Sequence, residues 1–244
     1  MLKRNLLFSF IFLILGFTAC QKEITGSNED YKTLGSSAHA FLSSDVYTSL
    51  QIQISYMPGY QPDSASIRIF TSFLKTYLNK PAGITISEQQ IAPSGKASLT
   101  LDEIVQIEKR NRTVFTGGNA ITTHILITDG GYSGNNIFAK SYWNTSICIF
   151  GKTINDNSVV SGQISRTQLM ATVLEHEFGH LLGLVNQGSP MQTDHLDAAN
   201  GAHCNNFLCL MYYSIETMNT GSSNYLVPDF DANCKADLKA NGGK

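Results

Sequence analysis

The sequence predicts an α/β (α+β) fold: a mixed sheet with helices packed against it. Three observations predict it. Strand-like and helix-like segments alternate through the first half of the chain. The second half opens on a capped amphipathic helix in which His176, Glu177 and His180 form H-E-x-x-H. Of the 244 residues, about 200 remain after the leading segments, enough for one substantial core or two small subdomains.

The chain begins with a charged n-region, Lys3 and Arg4, and an apolar run, Leu6–Phe17, too short to span a bilayer comfortably. Residues 1–20 therefore read as an export signal. Its end, Gly16-Phe17-Thr18-Ala19-Cys20, resembles a bacterial lipobox. The resemblance implies lipidation of Cys20 and a cell-envelope location, held to a membrane by acyl chains and facing the periplasm or the surface. Ordinary secretion with an incidental cysteine is the alternative. Residues 21–45, rich in Ser, Gly, Glu and Lys, read as a flexible tether. They hold no cysteine, which excludes a cysteine-based inhibitory prosegment. Residues 46–244 read as a single domain. Charged residues are 15% of the chain and the net charge is −2, with no basic cluster after the signal. That composition speaks against nucleic-acid binding.

The elements follow in order. Leu50, Ile52, Ile54 and Tyr56 alternate with polar residues, a half-buried strand ended by Pro58. Asp63 caps a helix whose Ile67, Phe70, Phe73, Leu74, Tyr77 and Leu78 form one stripe, closed by Pro81 and Gly83. Ile84–Ser87 reads as a short strand. Thr100 and Glu103 form a capping box for a helix to about Arg110. Thr123–Thr128 reads as a strand, Asn136–Trp143 as an edge strand and Ser146–Phe150 as a buried one.

Ser165 and Gln168 then form a second capping box. Met170, Leu174, Phe178, Leu181, Leu182 and Val185 recur at helical spacing, so one side faces a core, and Gly183 stands where a left-handed residue would stop the helix. Histidines four apart project from one helix face, close enough to share an ion. Zn²⁺ suits neutral imidazole, and three protein ligands leave a fourth position open. Glu177, beside the first histidine, is placed to act as general base. The bland alternative is a buried helix with two incidental histidines.

Downstream, His203-Cys204-Asn205-Asn206-Phe207-Leu208-Cys209-Leu210-Met211 reads H-C-x4-C-x-M. Here the chain resembles the metzincin clan of zinc peptidases, and most closely its archaemetzincin branch, which carries H-E-x-x-H-x-x-G-x-x-H-C-x4-C-x-M. The resemblance implies a metzincin-like zincin with a mostly parallel twisted sheet, an N-terminal subdomain over 46–185 and a smaller irregular C-terminal subdomain over 186–244. It implies that His176, His180 and His203 bind one catalytic zinc, that Glu177 is the base, and that Met211 lies in the Met-turn beneath the metal. Tyr213 resembles the tyrosine that astacin-like metzincins place near the zinc, where a phenol stabilises an oxyanion.

Two positions depart from that pattern. The family's third ligand comes three residues after the glycine, where this chain has Asn186, so His203 fits only if residues 186–202 loop out. Asp194, His195 and Asp197 lie in that loop, and the two aspartates suggest a second ion such as Ca²⁺, with a solvated loop as the alternative. Archaemetzincins also carry a later C-x-x-C that completes a four-cysteine zinc site; here Asp231 and Cys234 stand in its place. In an exported protein the even set Cys148, Cys204, Cys209 and Cys234 leads to an expectation of disulfides, with three connectivities open. The expected activity is zinc-dependent endopeptidase action by a monomer on peptide or protein substrates. The alternatives are a non-catalytic, metal-stabilised binding lipoprotein and a zinc hydrolase of cell-wall peptide amides.

Overall fold

The computed structural model describes residues 28–158, 164–215 and 228–244. Its centre is a five-stranded sheet of order β2-β1-β4-β7-β6. These strands are β1 (Ser49–Tyr56), β2 (Gly83–Gln90), β4 (Ala120–Thr128), β6 (Ala139–Trp143) and β7 (Ser146–Phe150). All neighbours run parallel except β6, which pairs antiparallel with β7 and forms one edge. A two-stranded parallel ladder joins β3 (Ser98–Leu99) to β5 (Gly131–Tyr132). The sheet is thus mixed and mostly parallel, as the sequence leads one to expect.

β4 is central, and every one of its residues is buried. Alternation along it separates two cores. Ile125 and Ile127 face α2 (Ser64–Tyr77) and α5 (Arg166–Leu181), in a cluster with Leu50, Ile52, Phe70, Leu174 and Phe178. Leu126 points the other way, joining Cys148, Phe150, Ile104 and Ile107 beneath α3 (Leu101–Asn111). Both expected caps on these helices are formed. Asp63 accepts from the backbone N–H groups of Ala65 and Ser66, and Thr100 and Glu103 complete a reciprocal capping box.

The domain starts earlier than residue 46. From Asn28 the segment read as tether is packed: a 3₁₀ turn, Asn28–Tyr31, precedes α1 (Ala38–Leu42), with Phe41 and Leu42 fully buried. The reason lies in one ion cluster. Arg112 is completely buried, and its guanidinium bonds Asp30 at 2.9 Å and Glu108 at 2.8 Å. Thr122, Thr145 and the Val114 carbonyl accept its remaining N–H groups. Asp30 therefore belongs to the core, and polar composition alone misread its segment. Two further helices lack a strong sequence signal: α4 (Gly151–Ser158) and α6 (Ala232–Ala240).

Candidate metal centre

α5 opens on the expected capping box: Ser165 Oγ accepts from the Gln168 N–H at 3.2 Å. It ends with Gly183 at φ +70°, and a Cβ there would also meet Ser189 N at 2.7 Å and Ala38 Cβ at 2.8 Å. The single apolar face expected from the sequence understates its burial. Every residue from Leu169 to Leu181 is buried, so polar groups on this helix need specific partners.

His176, His180 and His203 meet at one point. Their ring centroids lie 4.9, 5.3 and 5.1 Å apart, and one nitrogen from each falls within 4.8 Å of the others. All three rings are buried. His176 Nδ1 lies 2.7 Å from the Leu210 carbonyl and His203 Nδ1 lies 2.7 Å from the Asn200 carbonyl. A carbonyl only accepts, so both Nδ1 atoms carry a proton, and in the neutral rings it is Nε2 that holds the lone pair. That is the ligand form of imidazole, oriented by outer hydrogen bonds. The donor set fits zinc: three neutral nitrogens, with Glu177 between two of them on the same helix.

The backbone explains how His203 arrives from beyond the helix. Leu196 and Cys204 form an antiparallel bridge, and the His203 carbonyl accepts from the Asp197 N–H at 2.7 Å. The Cys204 N–H donates to the Met211 carbonyl at 2.8 Å. Residues 186–202 thus close as a loop on the segment carrying His203. Asn186 has φ +64° and continues the turn after Gly183. Met211 is fully buried against the helix, and a Cβ on Gly179 would stand 2.3 Å from its Sδ. Gly179, between Glu177 and His180, is what lets the methionine turn approach this closely. Tyr213 begins a short 3₁₀ turn and its ring packs on Tyr212 at 4.7 Å.

The loop's acidic residues do not converge on a second ion. Asp194 accepts from the Leu196 N–H, and Asp197 from the Ala199 N–H and the Asn200 amide. Both carboxylates serve local turns. Their neighbour His195 instead points inward. Its Nδ1 lies 3.3 Å from Cys204 Sγ and 3.9 Å from Cys234 Sγ, and its Nε2 lies 2.8 Å from an Asp237 carboxylate oxygen. Burial works against a charged His195, but the bonds to Asp237 and Cys204 outweigh it and raise its pKa. His195, Cys204, Asp231 and Cys234 form a second group able to hold a metal.

The expected disulfides are absent: Cys148, Cys204, Cys209 and Cys234 are free thiols. Cys148 sits in the core under α3, where burial holds its thiol protonated. Cys204 and Cys234 gather at His195, and Cys209 lies beside Cys234. Cys209 and Cys234 sulfurs are 3.6 Å apart, well beyond the ~2.05 Å of a disulfide bond. Cys209 Sγ accepts from the N–H groups of Met211 and Asp231, both at 3.4 Å. A hydrogen bond from Cys234 brings the Cys204 thiol down to about 6.

Three further residues at these sites have no local sequence signature. Ser141, on β6, donates to Glu177 Oε2 at 2.7 Å. Gly179 is one of the variable positions of H-E-x-x-H. Asp237 lies 42 residues from the histidine it touches. Cys20 lies outside the described residues. Among the described residues, no helix is long and apolar enough to cross a membrane.

No protein-family model matches the chain, and no curated protein matches it. Among solved structures, the crystal structure of archaemetzincin from Methanopyrus kandleri is similar, with a TM-score of 0.53 and 13% sequence identity. The match covers 80% of this chain and 96% of that one. At that identity the likeness speaks for the fold, and the chain has an archaemetzincin-like fold.

Proposed function

We propose that the protein is a zinc-dependent endopeptidase. The observation that carries this reading is the convergence of His176, His180 and His203 around the helix that also bears Glu177. A purely structural zinc needs no carboxylate beside its ligands. When bound, zinc supplies Lewis-acid polarisation of the attacking water and of the scissile carbonyl. Glu177 takes the proton from the water and returns it to the leaving amine. The adjacent acid, Glu175, does not share this role. It lines a separate cavity with Phe73, Tyr77 and Asp229, where burial and then Asp229 push its carboxyl up to about 8.

Among the described residues β6 pairs with β7 on one side only, which supports substrate binding by strand addition along its other side. Tyr213 is the proposed oxyanion donor. The reading includes export, a lipid anchor on Cys20 and a monomeric enzyme. Zinc-loaded protein should cleave a broad peptide library, chelator should stop the cleavage, and Glu177→Gln should retain zinc while losing about 10²–10⁴-fold of the rate. Full activity in that variant would overturn the base assignment. Zinc retention without any peptide cleavage would favour the metal-stabilised binding protein. Cleavage confined to cell-wall peptides would favour the narrower hydrolase.

The same reading takes the His195 cluster as a second, structural zinc site. The donors are His195 Nδ1, the sulfurs of Cys204 and Cys234 and a carboxylate oxygen of Asp231. These atoms lie within 4.8 Å of one another, with His195 Nδ1 3.3 Å from Cys204 Sγ and 3.9 Å from Cys234 Sγ. Asp237 orients the imidazole from behind. Elemental analysis should return two zincs per chain and one in His195→Ala. A Cys209–Cys234 disulfide with a single zinc would overturn the second site.

A further inference from the structure

We infer that Ser141 is a positioning residue for the general base, an inference that rests on the peptidase reading above. Ala139 and Ser141 share one face of β6, while Lys140 and Tyr142 take the other. The second face is occupied by α3: the Tyr142 hydroxyl bonds the Glu108 carboxylate. The first face meets α5. There the Ser141 hydroxyl lies 2.7 Å from Glu177 Oε2 and 3.0 Å from the Glu177 main-chain carbonyl, with the residue 91% shielded from solvent at a relative exposure of 9%.

A serine hydroxyl has one proton to give and two acceptors within reach. The shorter contact is to a carboxylate, and hydrogen bonds to charged acceptors are roughly twice as strong as neutral ones. The proton therefore goes to Oε2. That bond ties Oε2 of Glu177 to the strand. An unpinned glutamate in a helix samples several χ rotamers, and only some place an oxygen on the face shared by His176 and His180. Strand position matters too. The pairing of β6 with β7 shifts register between Ser141 and Trp143. Bulges of this kind re-aim side chains near active sites. The base is thereby tied to the strand along which a peptide would add, so substrate engagement and base orientation share one element.

The test compares zinc-loaded wild type, Ser141→Ala, Ser141→Thr and Ser141→Cys, with Glu177→Gln as the inactive control. Ser141→Ala should lower kcat about 10-fold, the lower end of what outer hydrogen-bond partners cost, with KM, zinc content and melting temperature unchanged. Ser141→Thr, which keeps the hydroxyl, should recover most of the rate. Ser141→Cys, of similar size but a weak donor, should resemble alanine. Unchanged kcat in Ser141→Ala, or equal losses in Ser141→Ala and Ser141→Thr, would overturn the assignment. Crystal structures of wild type and Ser141→Ala give a readout independent of turnover. Glu177 should hold one rotamer in the first and spread over several in the second. A single unchanged rotamer in both overturns the role of Ser141 even if the wild type cleaves no peptide, a result that would separately overturn the peptidase reading.

Discussion

His203→Ala should abolish tight zinc binding at the first site while leaving the fold intact. His203 closes a triangle whose other two corners, His176 and His180, come from one helix turn. Loss of an outer partner of a zinc ligand typically costs about 10–100-fold in affinity, so loss of a direct ligand should cost at least ~100-fold, or about 2.8 kcal/mol at 1.4 kcal/mol per decade. For a domain of this size each kcal/mol moves the melting temperature by about 2–4 °C. With zinc well above its dissociation constant, the stabilisation gained on loading should therefore shrink by ~6–11 °C in the variant. The assay is thermal unfolding of metal-stripped and zinc-loaded protein, read as the increment between the two. Asn186→Ala is the matched control. Alanine at φ +64° costs ~1–2 kcal/mol of backbone strain, but it weakens both forms alike and leaves the increment intact. His195→Ala should lose only the second zinc. If Asn186→Ala erases the increment, or if His195→Ala empties the first site while His203→Ala keeps it, the reasoning fails.

Other outcomes follow from Arg112 in the core and Asp63 at a helix cap. Arg112→Met should destabilise the domain by about 3–5 kcal/mol, because it leaves Asp30 and Glu108 buried without their partner; a loss under ~1 kcal/mol in urea unfolding would show that the network contributes little. Asp63→Ala should cost about 1 kcal/mol at neutral pH through the lost helix cap. Burial opposes the charge of Asp63, but the Ser66 and Ala65 N–H groups, Thr167 and Arg166 outweigh it, and the carboxyl is held below its ordinary value of 3.8. On acidification the unfolded chain therefore takes up the proton first, so the contribution is present above that value and fades as pH falls through the lower folded one. The gap between wild type and Asp63→Ala should close along that acid limb, and a gap independent of pH would refute the ionic account of the cap.

The sequence by itself determined what depends on neighbours within about one helical turn. The capping boxes at Thr100 and Ser165 are four-residue patterns, and both form. The stop at Gly183 is a property of one backbone, and its φ is +70°. H-E-x-x-H places His176, Glu177 and His180 on one helix because a four-residue step is nearly one turn. Alternation in the run before Pro58 marks a strand for the same local reason. Tertiary structure alone decided the rest. Residues 28–45 look like tether until Asp30 meets Arg112, 82 positions away. His195 looks like a loop residue until Asp237 meets it, 42 positions on, and paired cysteines looked like disulfides until Cys204 and Cys234 faced one imidazole. Ser141 carries no motif, yet it reaches Glu177 across 36 residues. Such contacts depend on where distant segments are brought together in a packed core. Closing the intervening chain costs free energy that rises only with the logarithm of its length, so almost any spacing is permitted and none leaves a periodic mark on the sequence.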